Sequence, residues 1–211
     1  LTGALGVGDS VQHSREKIAA QRIGPFTHAI VGPRPFKLRQ ANTLTKSQPE
    51  PLLFRPASAA NDAGQSLPVT LYHVQDKFFT MAPTPIRANK IKASLSQQRG
   101  AWINRALATK LNLSVGDDLL VATPDDSLPA DLAVARAKPK TERHTVTRIL
   151  EANQLGDFSL SQSTQPVYNI FLPITRPAID GEIAATATNS TQFLAHPFGQ
   201  PRSSRRLDLT L

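Results

Sequence analysis

The chain of 211 residues has no cysteine, one methionine and one tryptophan. Without cysteine there is no disulfide framework and no thiolate metal site, so packing and hydrogen bonding must hold the fold. Aromatic residues make up only 6% of the chain, too few to interleave with basic residues as a stacking platform for single-stranded nucleic acid. Acidic residues are also short: 16 Asp and Glu face 24 Lys and Arg, a formal charge of +8. No run approaches the roughly 18–20 apolar residues that cross a bilayer as a helix.

The surplus charge does not concentrate. It falls at Arg34/Lys37/Arg39, Arg136/Lys138/Lys140/Arg143 and Arg202/Arg205/Arg206, and none of the three is a helical basic stripe. A nucleic-acid footprint would gather on one face or one element. The pattern reads as solvated loops, and it also suits contact with anionic lipid headgroups, worth about 1 kcal/mol per basic residue near a membrane surface. At 40% apolar and 19% charged the composition is that of a folded domain, long enough for one domain or two small lobes.

Signals for bond chemistry are absent. The histidines, His13, His28, His73, His144 and His196, show no metal-ligand spacing, and the three in strand-like segments read as structural or surface residues. No G-x-S-x-G elbow and no S-x-x-K occurs. Gly3, Gly6 and Gly8 imitate a phosphate loop, but no strand precedes them and no Lys-Ser/Thr follows. Asn112 and Asn189 open glycosylation sequons, with nothing else pointing to a eukaryotic secretory route. Adjacent Asp117 and Asp118 could bind a cation or supply a base. No catalytic constellation emerges; the chain reads as a non-enzyme with no cofactor and no metal.

Residues 101–121 carry the clearest local pattern. A short strand leads to Asn104, a good N-cap, and then Leu107, Ala108 and Leu111 recur on one helical face. Gly116-Asp117 supplies a turn into a compact apolar strand. Elsewhere the sequence predicts a helix over 9–22 stopped by Gly24-Pro25, and strands over 26–31, 68–74, 144–150 and 167–174. It predicts a turn at 32–35 and aromatic residues packed at 77–81, just after the 68–74 strand. Residues 39–65 read as polar loop with only 52–54 able to pair, and 84–100 as weakly helical. Residues 124–141 read as an exposed excursion, 179–187 as helical, and 200–211 as Arg-rich coil with a short apolar strand. Irregular alternation of strands and helices indicates an α+β domain.

Four motifs then occur in order: Asn104-x-x-Leu-Ala-x-x-Leu-x-x-x-x-Gly116-Asp117, a strand ending Ile149-Leu150, Gly156-x-Phe158-Ser-Leu, and Phe171-Leu-Pro173-Ile. Together they resemble the extracytoplasmic domain of an FtsX-like, MacB-type ABC transporter permease. The likeness extends to 69–83 and to 1–24, is absent from 44–65, and is thin beyond 176. It implies an α+β, two-lobed periplasmic core domain with mixed sheets and few helices. Residues 1–24 would leave a first membrane span, 25–83 and 175–211 would form a membrane-proximal lobe, and 84–174 an inserted distal lobe. Asp117 would cap its turn. Residues 1–8 resemble the tail of a longer apolar helix, so a native chain extending beyond this sequence is expected. The resemblance also implies a cytoplasmic ABC ATPase subunit and a second permease copy as partners, a lipoprotein or other periplasmic protein as cargo, and no nucleic acid. A different reading is an extracytoplasmic binding module for a lipoprotein, peptide or anionic membrane surface, with Phe78, Phe79 and Trp102 as candidate anchors, although all three read more readily as core residues.

Overall fold

Alternating apolar and polar positions over 66–74, 118–123 and 140–150 make half-buried strands. The computed structural model pairs them into a nine-stranded sheet and describes residues 13–14, 17–26, 28–37, 50–87, 91, 99–124, 139–160, 165–174, 182–188 and 204–206. In chain order the strands are β1 (His28–Lys37), β2 (Glu50–Ala60), β3 (Ser66–Val74), β4 (Gly100–Asn104), β5 (Asp118–Thr123), β6 (Lys140–Leu150), β7 (Asn169–Pro173), β8 (Glu182–Thr188) and β9 (Ser204–Arg206). Residues 17–23 are helical. Two short helices follow, α1 (Asp76–Thr80) and α2 (Arg105–Leu111), with a 3-10 turn at Ala152–Gln154. Mostly sheet with few helices, the fold is α+β.

Six strands close on themselves. β2 pairs with β3, β3 with β7, β7 with β4, β4 with β6, β6 with β5, and β5 returns to β2. The β3–β7 and β4–β6 ladders are parallel and the other four antiparallel. Closure removes free edges from this part of the sheet. β2 is longer than the ring requires: Glu50–Leu52 pairs outward with β8, which pairs with β1, and β1 with β9. The ladders β3–β7 and β2–β5 cross the expected lobe boundary at 83/84, so strands on both sides share one ring.

Inward-facing residues fill the barrel. Val69 and Leu71 from β3, Ile103 from β4, Leu119 and Val121 from β5, and Val146 from β6 pack with Leu107, Ala108 and Leu111 of α2. The helix follows directly from the end of β4 and plugs that end of the barrel. The outer wall carries a second core. Register aligns Phe54, Tyr72, Phe171, Trp102 and Arg148 across five strands. The Arg148 guanidinium lies 5.3 Å from the Trp102 ring centre. Phe78 and Phe79 from α1, with Phe26 and Phe158, cover the row at ring separations such as 5.1 Å for Phe78–Phe158 and 4.7 Å for Phe79–Trp102. A chain poor in aromatics has concentrated them on one wall.

Several expectations are corrected. Residues 50–60 form a full strand where a polar loop was expected, because β2 draws ladders from β3, β5 and β8. Its Pro56 falls between the β8 ladder at 50–52 and the β5 ladder at 58–60, where a missing N–H breaks neither. The expected turn at 32–35 lies inside β1, at the register shift between Val31 and Phe36. The expected helix over 179–187 is largely strand β8, since pairing with β1 and β2 overrides the helical bias of its small residues. Of the weakly helical 84–100 segment, Ile91 is helical and fully buried. Residues 125–138, most of the expected excursion, lie outside the described residues, as does the expected apolar strand at the chain's end. Among the described residues no helix is long and apolar enough to cross a membrane.

Candidate functional site

Asn104 ends β4 and starts α2, and its side chain is fully buried. A buried amide must satisfy two acceptor and two donor positions. Its Oδ1 accepts from the Leu107 N–H at 3.2 Å, the N-cap bond, and from the Asn169 N–H at 3.1 Å. Its Nδ2 donates to Asp157 Oδ1 at 2.7 Å and to the Val167 carbonyl at 2.8 Å. Asn169 extends the network, donating from Nδ2 to the carbonyls of Gly156 at 2.9 Å and Phe158 at 2.8 Å. Gly156 has no room for a side chain: a Cβ there would sit 2.7 Å from the Leu150 carbonyl oxygen and 2.8 Å from that of Glu151. Three of the sequence-selected residues, Asn104, Gly156 and Phe158, thus meet around one junction. Asn169 was missed, since a lone Asn opening a strand carries no signal without its partners.

The other selected residues sit nearby or opposite. Leu107, Ala108 and Leu111 face the barrel interior. Gly116, with φ at +102°, donates its N–H to the Val146 carbonyl at 2.7 Å. Asp117 accepts from the Ser114 N–H at 2.8 Å, closing the turn between α2 and β5. Asp118 is held by Arg143 at 3.0 Å and Thr145 at 3.1 Å, and the hydrogen bond from Arg143 lowers its pKa. Both carboxylates of the acidic pair are therefore engaged. Pro173 ends β7 at the other end of the barrel.

That other end is polar. The inward rows that are apolar near α2 become Arg55 on β2, His73 on β3, Thr123 on β5, and Glu142 and His144 on β6. With Leu71, Val121 and Leu172 they enclose a cavity of about 20 Å³, on the scale of one water molecule. His144 is 8% exposed; its Nε2 lies 3.6 Å from Glu142 Oε2, and its buried Nδ1 has the Arg99 backbone carbonyl as a neighbour without a well-formed hydrogen bond. His73 bonds the Pro173 backbone, necessarily its carbonyl, and its Nε2 is buried with no protein partner. Burial lowers the pKa of both rings, reinforced at His73 by the Arg55 charge. Glu142 is engaged by Lys140 at 2.7 Å, which lowers its pKa. Sequence alone gave no reason to join His73 with His144, 71 positions apart; barrel closure does so. Beside this mouth β2 and β5 pair over only three positions, and past them lies a groove of about 350 Å³ between Pro56 and Pro139.

Phe78, Phe79 and Trp102 are fully buried, as their core reading expects, so none of these candidate anchors is available to grip a partner. Among the described residues no group of three potential ligands is arranged to hold a metal ion.

No family model matches the chain, and no curated protein matches it. Solved structures with a similar chain path include regions of ABC-type transporters that lie outside the cytoplasm. One is the periplasmic region of MacB from Actinobacillus actinomycetemcomitans, at 12% identity and a TM-score of 0.42, covering 81% of this chain and 78% of that one. Another is the extracellular domain of the noncanonic ABC-type transporter YknZ from Gram-positive bacteria, at 10% identity and a TM-score of 0.43, covering 77% and 82%. Likeness at these values assigns neither an activity nor a partner.

Proposed function

We propose that this chain is the extracytoplasmic domain of an FtsX-like, MacB-type ABC transporter permease. In this reading it does no bond chemistry and couples the motion of a cytoplasmic ATPase to export or extraction of a cargo at the membrane. The observation that carries the reading is the ordered motif set from Asn104 to Pro173. Its central members support one another physically: Asn104, Gly156 and Phe158 are tied through Asn169. A domain conserving motion rather than reaction needs a junction of this kind, where helix, strand and turn cannot slip separately.

The helix ending at residue 23 is the lever of this reading. Arg22 donates to the Gln165 carbonyl at 2.6 Å, and Ile23 and Phe26 are buried in the aromatic core. A helix clamped in this way carries displacement along its 1.5 Å rise per residue without slack. In place of the expected lobes over 25–83 with 175–211 and over 84–174, this reading takes as its two lobes the barrel, β2 to β7, and the sheet that β2 extends through β8, β1 and β9. A second permease copy and a periplasmic protein or lipoprotein cargo complete the proposal.

The missing cysteines make a clean topology test. Val115 is 60% exposed, and Val115→Cys in the full-length native protein introduces one thiol into this segment. Labelling by a membrane-impermeant maleimide in intact cells is the expected result; labelling only after lysis would sink the location. A flexible Gly-rich insertion after Arg22 should abolish transport while leaving the domain folded. Transport that survives the insertion would remove the lever.

A further inference from the structure

We propose that the polar mouth of the barrel binds a single small anion, halide-sized or the end of one carboxylate, between Arg55, His73 and His144. The site is separate from the mechanical role proposed above. It rests first on closure: six paired strands bring side chains from β2, β3, β5 and β6 onto one enclosed space that none of the strands could form alone. It rests next on His73 Nε2, a ring nitrogen buried without a protein partner, with the His144 ring, whose Nδ1 neighbours the Arg99 carbonyl, across the same space. In the neutral ring of His73 the other nitrogen donates to the Pro173 carbonyl, which leaves Nε2 as a bare acceptor. A water can satisfy such nitrogens at neutral pH. Each nitrogen that takes a proton becomes a donor, and then an anion fits the space better than water does.

The charges around the mouth favour that exchange. His73 faces Arg55, His144 and Glu142, and His144 faces Glu142 and Arg99. Glu142 is the acidic residue of the lining, and Lys140 already engages it at 2.7 Å. Burial opposes protonation of either ring, so the proton and the anion must enter together. The space of about 20 Å³ selects size: a halide or one carboxylate end enters and a bulky oxyanion does not. Arg55 in the lining works against a metal cation at the same place. The adjoining groove, which shares Thr123 with the mouth, is the path of entry.

The test is titration of the chain with sodium chloride and with sodium acetate, following the histidine ring resonances by NMR. His13, His28 and His196 serve as internal controls. At about pH 5.5, near the histidine range, the rings of His73 and His144 should shift saturably while the controls follow bulk ionic strength. Raising the pH should weaken the response by about tenfold per unit for each proton taken up with the anion. Arg55→Gln should abolish it. Rings that do not move, or five rings that shift alike, would overturn the site. So would a response to zinc with none to chloride or acetate. Where Arg55→Gln does not fold, the contrast among the five rings of the unmodified chain decides alone.

Discussion

At one end of the barrel a helix is driven into the interior, and at the other the inward rows turn to Arg55, His73, Thr123, Glu142 and His144. Near α2 every buried polar position of the key amide is filled: Asn104 makes four hydrogen bonds within protein. At the mouth an imidazole nitrogen, His73 Nε2, is buried with no protein partner. A fully bonded group such as Asn104 fixes one arrangement, although Asn169 Oδ1 in the same network is buried without a protein partner. The unfilled position at the mouth marks strain or a place for a ligand. The same barrel therefore has a locked end and an open one, and the contrast predicts where substitutions hurt.

The largest effect is expected at the locked end. Asn104→Ala removes an N-cap and leaves Asp157, Val167 and the Asn169 N–H without their partner, a loss of about 3–5 kcal/mol. The urea midpoint should fall sharply with little change in slope. Asn104→Asp should also be damaging, because it keeps the acceptor but sets a carboxylate against Asp157, now 2.7 Å away. If either variant matches the parent protein, the junction is not the lock. Leu111→Ala comes next: its side chain is 1% exposed, and truncation should cost about 2–4 kcal/mol by opening a cavity in the plugged end.

How legible this was depends on the range of the interactions. Strand β4, the Asn104 cap, α2, the Gly116 turn and β5 are local, and apolar spacing with capping chemistry specifies them without the rest of the chain. Asn169 was not legible, because its meaning lies in contacts 65 residues away in sequence. Neither was β2, whose Pro, Ser and Ala composition suits a loop until three neighbouring strands supply ladders. The polar mouth is the extreme case. Each of its residues reads as an ordinary strand position, and only closure of the ring makes them neighbours.

Acid and alkaline limbs of stability should sharpen the comparison at intermediate magnitude. His73 and His144 have pKa values lowered by burial, so the folded state binds fewer protons than the unfolded one. Their contribution is fully present above the unfolded histidine value of about 6.5 and is lost as pH falls through the folded values. His73→Gln combined with His144→Gln should flatten the acid limb of a urea-midpoint profile; an unchanged limb would count against burial as the cause. Glu50 behaves in the opposite sense. It is 3% exposed, its Oε1 has no partner, and burial pushes its pKa up to about 7 against the attraction of Lys77. That contribution is fully present below about pH 4.5 and is lost as pH rises through about 7. Glu50→Gln should therefore stabilise the protein by about 1–3 kcal/mol above pH 7 and leave it unchanged in acid.

The smallest effect is expected one residue from the largest. Arg105 bonds Glu151 through both Nε and Nη2, and the two side chains remain 56% and 50% exposed. Water and salt screen such a pair, and ordering two long side chains offsets the attraction. Glu151 also has work that does not involve Arg105: its side chain accepts from the Gln154 backbone in the capping box of the 3-10 turn. Arg105→Ala should thus leave the urea midpoint within measurement error at physiological salt. Any residual difference should shrink further as salt is added. A large, salt-independent loss would mean that the guanidinium supports the Asn104 junction through the turn at Glu151, and the locked end would then extend to the surface.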